Sequence, residues 1–300
     1  MNPTPDSKRA TLIGFTAILM WATLALLTDL SGEVPPFQLT AMSFAIAFCI
    51  GLVLWLRQGG SILTHLMLPW PVWMLGIAGL FGYHFFYFMA LRNAPVIEAS
   101  LIAYLWPLLI VLFSAALPNE RLSIVHLMGA ALGFIGAGIL VTQGRSLTLN
   151  PDYTVGYLAA LICAVTWSSY SVLSRRIGAI PTSSVGGFCG VTAVLATVCH
   201  HLFEQTVIPQ GTEWLAILGL GLGPVGLAFF TWDVGVKFGN IQLLGVLSYG
   251  APLLSTLVLI LFGLAEPTAT VAIACILIVG GAVVASGQVP GRRSPPSTND

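Results

Sequence analysis

The amino-acid sequence predicts an all-α integral membrane protein with ten transmembrane helices, arranged as two inverted five-helix repeats. Of its 300 residues, 57% are hydrophobic and only 7% are charged, whereas a soluble domain carries about 25% charged residues. A soluble fold of this size has too little interior to hide that much apolar surface, but a bilayer accommodates it. The third observation is an internal repeat that relates the two halves of the chain.

Ten apolar runs are long enough to cross a hydrocarbon core, which needs roughly 20 residues per helix. Proline, glycine, asparagine and charged residues separate the runs, as expected at helix ends. The connections are short, so any chemistry lies inside the bundle. The predicted spans are 10–30, 36–56, 70–92, 95–117, 123–143, 154–174, 182–203, 213–236, 240–264 and 268–288.

Basic residues predict the orientation of these spans. With both termini in the cytoplasm, nine basic residues lie inside and two lie outside, as the positive-inside rule requires. The first apolar run is too long for a secretory signal. The inside set is Lys8, Arg9, Arg57, Arg121, Arg175, Arg176, Lys237, Arg292 and Arg293, and the outside set is Arg92 and Arg145.

Residues at a constant offset match along the two halves. Each half holds five spans, and five is odd, so the second half enters the membrane from the opposite side. This inverted repeat is typical of secondary transporters. We expect a first repeat over 1–145, an inverted second repeat over 146–289 and a disordered cytoplasmic tail over 290–300. The matched pairs include Pro36 and Pro181, Arg92 and Lys237, Tyr104 and Tyr249, and Pro107 and Pro252.

Pro107 and Pro252 fall inside spans 4 and 9. Proline removes a backbone hydrogen bond and bends a helix. One interpretation is a paired hinge beside the substrate site, and the other is a pair of static kinks that improve packing. The sequence leaves both open.

Several aromatic and polar side chains lie at mid-span rather than at the membrane surface, where tryptophan and tyrosine usually collect. Buried Tyr, Trp and His normally have polar partners, so we expect them to line a hydrated cavity between spans 3, 4, 6, 8 and 9. Packing at helix interfaces is the alternative for any single residue. The candidate substrate-binding residues are Tyr83, His84, Tyr87, Tyr104, Trp106, Trp167, Ser168 and Tyr249.

Charged groups within the spans are few. Asp233 and Lys237 are four residues apart and are expected to pair, whereas Glu120 and Glu266 begin spans and complement helix dipoles. No arginine or lysine cluster lies at mid-depth, which disfavours phosphorylated substrates. The net charge of +0 gives no basic surface of the kind that binds nucleic acid. The five scattered cysteines suggest neither a disulfide nor a metal site. No cofactor and no obligate protein partner are indicated.

The stretch from Ala90 to Leu109, the following NERLS at 119–123 and GAALGFIGAG at 129–138 resemble the drug/metabolite transporter superfamily, EamA type. A weaker copy, KFGNIQLLGVLSYGAPLL, covers 237–254. Within the superfamily, GYHFFYFMAL at 82–91 and the Tyr104-x-Trp106-Pro107 pattern are most similar to exporters of aromatic amino acids. The resemblance covers nearly the whole chain. It implies ten helices, a bacterial inner-membrane location and a central cavity open to one side at a time.

We therefore expect an exporter of aromatic and other bulky apolar amino acids that works by alternating access. Another metabolite or a hydrophobic drug is the alternative substrate. A channel would need a selectivity ring or filter loop, and a membrane enzyme would need a motif such as H-E-x-x-H or G-x-S-x-G; neither is present. Whether export is facilitated or coupled to protons is left open.

Overall fold

A computed structural model describes residues 6–59, 62–118, 120–145 and 149–286. The described chain is helical and contains no strand. Ten helical spans are long and apolar enough to cross a membrane, as the sequence predicts. The predicted tail over 290–300 lies outside the described residues.

The spans alternate in direction because short connections join them. The side of the bundle on which Ser7 lies is called the N face here, and the other side the opposite face. Spans 1 to 5 are Ser7–Asp29, Pro36–Gln58, Trp70–Asn93, Val96–Ser114 and Ile124–Thr142. Spans 6 to 10 are Pro151–Arg176, Thr182–Phe203, Glu213–Phe238, Ile241–Leu261 and Ala269–Ser286.

The packing of the spans follows the inverted repeat. Span 5 packs against its counterpart, span 10, and span 2 packs against its counterpart, span 7. Span 1 crosses to span 8, and span 6 makes the equivalent crossing to span 3. The two halves are therefore interleaved, and much of the interior is made of contacts between them.

Glycines set how closely the helices in these pairs approach. A Cβ added to Gly281 of span 10 would lie 2.6 Å from the carbonyl oxygen of Gly129 in span 5. A Cβ on Gly51 of span 2 would lie 2.5 Å from the Cα of Gly186 in span 7. Without a hydrophobic driving force between helices in lipid, such close backbone packing holds the bundle together.

Four spans depart from the regular α-helix at related places, and span 1 breaks after Trp21 without a matching break in span 6. Span 3 contains a π-helical turn over Ala78–Gly82, and span 8 contains one over Gly223–Leu227, the equivalent position of the second repeat. Span 4 breaks between its segments Val96–Ala103 and Trp106–Ser114. Span 9 breaks at the equivalent position, between Ile241–Leu247 and Gly250–Leu261.

Two prolines lie just after the breaks in spans 4 and 9. Pro107 occupies the first turn of Trp106–Ser114, and Pro252 the first turn of Gly250–Leu261. Neither residue therefore bends a continuous helix; each begins a new segment. Whether the segments move about these breaks stays a prediction.

The neighbouring residues Gly280 and Gly281 give a matched test of the span 5–span 10 contact. Gly281→Ala should lower the free energy of unfolding by about 1–3 kcal/mol, because its methyl group must displace the backbone of span 5. Gly280→Ala meets nothing within 4 Å and should leave stability unchanged or slightly higher, since alanine favours the helix. Thermal unfolding of the purified proteins measures both, and equal melting temperatures would contradict the close contact.

Candidate functional site

Four tryptophans from four different spans meet in the middle of the bundle. Trp21 of span 1 has its ring centroid 5.9 Å from Trp167 of span 6, 6.1 Å from Trp106 of span 4 and 5.1 Å from Trp232 of span 8. Trp106 and Trp167 are 6.3 Å apart and nearly perpendicular. Edge-to-face geometry at these distances is favourable for aromatic pairs. These four residues are called the tryptophan cluster below.

Further rings surround the tryptophan cluster. Tyr83 of span 3 lies 5.6 Å from Trp167 and stacks on Tyr87 at 6.1 Å. Phe229 of span 8 lies 5.6 Å from Trp167 and stacks at 5.6 Å on Phe44 of span 2. The core at this depth is therefore rich in aromatic rings.

Two of these contacts join residues that correspond in the two repeats. Trp21 and Trp167 are counterparts with one residue of slip, and their centroids are 5.9 Å apart. His84 and Phe229 are exact counterparts in the repeat, and their centroids are 6.4 Å apart. Counterparts related by a twofold axis touch only near that axis, so the tryptophan cluster surrounds the pseudo-twofold axis of the fold.

The indole N–H groups divide into two kinds. Trp21 Nε1 donates to the carbonyl oxygen of Pro224 at 3.0 Å, and Trp232 Nε1 donates to Ser171 Oγ at 3.0 Å. Trp106 Nε1 and Trp167 Nε1 have no hydrogen-bond partner in the described part of the chain, and neither atom is sealed from water. Two N–H donors are thus left for a molecule from outside the chain.

His84 is held by its own helix. Its Nδ1 lies 2.7 Å from the carbonyl oxygen of Leu80, which belongs to the π-helical turn of span 3. Because a carbonyl only accepts, Nδ1 carries the proton and Nε2 of the neutral ring is an acceptor. The ring packs edge-on against Phe44 at 5.1 Å.

Ser168 is bonded to the backbone, whereas Tyr104 lies near Tyr83 and Tyr87 as expected. Ser168 is fully buried, and its hydroxyl lies 2.7 Å from the carbonyl oxygen of Ala164 and 2.9 Å from that of Trp106. Its one proton therefore serves the backbone of spans 4 and 6. Tyr104 lies at the break in span 4 and is half-buried.

Tyr249 is not part of the tryptophan cluster. It is fully buried in a separate core between spans 4, 5, 9 and 10, beside Phe134 at 6.2 Å. Its hydroxyl accepts a hydrogen bond from the N–H of Leu108 at 3.2 Å. The structure thus brings Tyr83, Tyr87, Trp106 and Trp167 together, with His84 beside them, and leaves Tyr249 apart. A role of these residues in substrate binding stays a prediction.

Sequence reasoning misses part of the cluster. Trp21 is recognisable as a mid-span tryptophan but is not among the predicted binding residues, and neither are Trp232 and Phe229. The repeat contains the signal, because Trp232 and Phe229 are the counterparts of Tyr87 and His84 in the second half.

Polar contacts join several spans at the N face. Arg175 pairs with Glu120 at 2.6 Å and donates to the carbonyl oxygens of Val236 and Gly239. Neither Glu120 nor Glu266 lies in the first turn of its helix, so the predicted dipole role is wrong for both. Glu120 bonds across the bundle to Arg175 instead. This contact, which we call the N-face lock, connects spans 5, 6 and 8 below the tryptophan cluster.

The predicted pair between Asp233 and Lys237 is confirmed, at 2.8 Å with both side chains buried. Asp233 also accepts from Thr182 Oγ1 at 2.6 Å, and Lys237 donates to the carbonyl oxygen of Ile180 at 2.9 Å. Both buried charges are thus satisfied by the start of span 7, as a low-dielectric setting requires.

Comparison with known proteins gives consistent results. The model of the EamA-like transporter family matches residues 8–142 and 154–287, one match in each half. A crystal structure with 57% sequence identity superposes with a TM-score of 0.90, covering 94% of this chain and 97% of that one.

Curated relatives include three named as the aromatic amino acid exporter YddG. The protein of Ancylobacter novellus is 58% identical over 278 residues, covering 92% of this chain and 96% of the relative. Those of Salmonella typhimurium and Escherichia coli are each 25% identical, over 264 and 269 residues, covering 83% of this chain and 87% of each relative.

The hydroxyl of Tyr249 supports a test of what this residue does. Tyr249→Phe leaves the N–H of Leu108 buried without a partner and should lower the free energy of unfolding by about 1–2 kcal/mol. Tyr153→Phe, which removes a hydroxyl from a partly exposed ring, is the matched control. Thermal unfolding and transport per folded protein are both measured. Unchanged stability with selective loss of aromatic transport would contradict the structural role.

Proposed function

The chain belongs to the EamA-like transporter family, and we propose that it exports aromatic and other bulky apolar amino acids by alternating access. It is a multi-pass membrane protein with ten spans. The names of three relatives, of which one is 58% identical, support aromatic amino acids as substrates. Membership of a family of transporters argues against an enzyme.

The tryptophan cluster on the pseudo-twofold axis is the observation that carries the proposal. A site on this axis remains at the centre while the two repeats rock, as alternating access requires. The ring of a substrate would pack against Trp106, Trp167 and Tyr83, where each good aromatic contact adds about 0.5–1.5 kcal/mol beyond area burial.

The backbone of an amino-acid substrate would be met by the remaining polar groups. The free indole N–H groups of Trp106 and Trp167 suit the carboxylate, because both are donors. Nε2 of His84 is an acceptor, and the faces of the surrounding rings attract an ammonium group. The carbonyl oxygen of Ala103 would be a further acceptor for the ammonium group, because Pro107 has no N–H to bond it.

Export also requires an orientation and a path. We place the N face in the cytoplasm of a bacterium, with both termini there and the inner membrane as location, because the basic residues favour it. Substrate would then enter where the N-face lock joins Arg175 to Glu120. The lock would open for loading and close for release at the opposite face.

Another small metabolite or a hydrophobic drug is the second candidate, since the cluster would accept any flat apolar body. The two substrate classes differ in one requirement. A drug without a carboxylate and an ammonium group does not need the two free indole N–H donors. Competition between phenylalanine and a panel of uncharged aromatics in a transport assay separates the two.

Removing one ring of the cluster tests the proposed site. Trp106→Ala or Trp167→Ala should lower kcat/KM for phenylalanine by roughly 10- to 100-fold, because each change removes ring contacts and a donor. Loss for a small substrate such as alanine should be smaller. Trp214→Ala, at a half-exposed position, is the control. Uptake into proteoliposomes is measured. Wild-type rates for both cluster variants, each folded like the wild type, would refute this site.

Cysteine labelling tests the orientation. In a variant without the native cysteines, Met67→Cys lies on the N face and Glu266→Cys on the opposite face, both exposed. An impermeant maleimide added to intact cells should label the second and spare the first until the membrane is permeabilised. The reverse pattern would overturn the orientation and the direction of export.

A further inference from the structure

A half-open cavity of about 280 Å³ lies between spans 4 and 5. None of the four residues of the tryptophan cluster lines it. Glu98 provides the charged group of the wall, and it is the third residue of the segment Val96–Ala103, near the opposite face. The remaining lining residues are apolar, namely Leu101, Ile102, Leu105, Phe134 and Leu149.

The carboxylate of Glu98 is not satisfied by the chain. Its Oε2 is buried and has no hydrogen-bond partner. Within the described ranges, no basic side chain approaches it within 4.0 Å. A buried carboxylate oxygen without a donor is costly, and ionisable groups inside membrane proteins are rare unless they act on something.

The fold does not require a carboxylate at this position. The counterpart of Glu98 in the second repeat is Leu243. Leu243 packs against the apolar core that contains Val246 and Tyr249. The same backbone position is therefore filled by a hydrocarbon side chain in one repeat and by an acid beside a cavity in the other.

We propose that this cavity binds an organic ammonium ion with an apolar body. The ammonium group pairs with the carboxylate of Glu98, and the apolar body lies against Leu101, Ile102 and Phe134. The volume is close to the lower bound of about 300 Å³ for small-molecule pockets. A metal ion is a poor fit, because hard cations take several oxygen ligands and the lining provides one carboxylate.

Two kinds of molecule carry such an ammonium group. One is a soluble amine, including the amino acid that the proposed function would bring to this face, and the other is the amine headgroup of a lipid. The site rests on the cavity and on Glu98, so its existence does not depend on the proposed function.

Photolabelling tests the site directly. The probe is 4-azidophenethylamine, added to the full-length protein in phosphatidylglycerol nanodiscs, and peptide mapping locates the label. We expect label on the peptides that contain Leu101 and Phe134. The matched acid, 3-(4-azidophenyl)propionate, should not label them, because it carries a carboxylate in place of the amine.

Variants separate the charge from the cavity. Glu98→Gln should reduce labelling by roughly 10- to 100-fold, since a hydrogen bond to a charged group is lost. Glu98→Leu, which copies the second repeat, should do the same and gives a folded alternative. Leu101→Phe keeps the carboxylate, fills the cavity and should also reduce labelling. Equal labelling of wild type and both Glu98 variants would overturn the proposal.

Two further labelling experiments identify the natural occupant and distinguish this site from the tryptophan cluster. Weaker labelling in nanodiscs that contain phosphatidylethanolamine identifies a lipid headgroup as occupant, and unchanged labelling identifies a soluble amine. Trp167→Ala should leave this labelling intact even where it abolishes transport. Loss of label in Trp167→Ala with full label in Glu98→Gln would place the amine in the central site and refute the second one.

Discussion

The need to satisfy every backbone polar group in a medium without water governs this structure. An unpaired N–H or carbonyl in hydrocarbon costs several kcal/mol, so each departure from the α-helix needs a partner from elsewhere. The carbonyl of Pro224 in one π-helical turn is bonded by the indole of Trp21, and that of Leu80 in the other by His84. At the break in span 4, the N–H of Leu108 donates to Tyr249. Irregular backbone and the side chains that cover it therefore occur together.

This constraint explains why the centre of the bundle is both irregular and aromatic. Trp, Tyr and His cover a backbone group with one polar atom while presenting an apolar ring to the rest of the core. Ser171 accepts a hydrogen bond from the indole N–H of Trp232, and Ser168 donates to the carbonyl of Trp106. Once these bonds are assigned, two indole donors remain unused. The groups free for a ligand are thus those that the backbone does not need.

Much of the fold was predictable. Apolar runs along the sequence indicate the ten spans, and matched prolines and tyrosines indicate the repeat. The Asp233–Lys237 pair was also predictable, since four residues on a helix bring both side chains to one face. Two features were not. A π-helical turn has no residue signature, and the bond from Arg175 to Glu120 joins residues whose proximity only tertiary packing creates. In the site, the position of Tyr249 was not predictable from its counterpart: Tyr249 is fully buried in a separate core, whereas Tyr104 is half-buried at the break in span 4.

The two π-helical turns also determine which side chains reach the pseudo-twofold axis. A π-helical turn contains one residue more than an α-helical one, and removing that residue would rotate everything beyond it by about 100°. In span 3 such a rotation would carry His84 and Tyr83 away from the axis; in span 8 it would carry Phe229 and Trp232 away. The two turns lie at matching positions of the two halves, Ala78–Gly82 and Gly223–Leu227. The same extra residue therefore turns ring side chains toward the axis in both repeats, although most of those side chains differ.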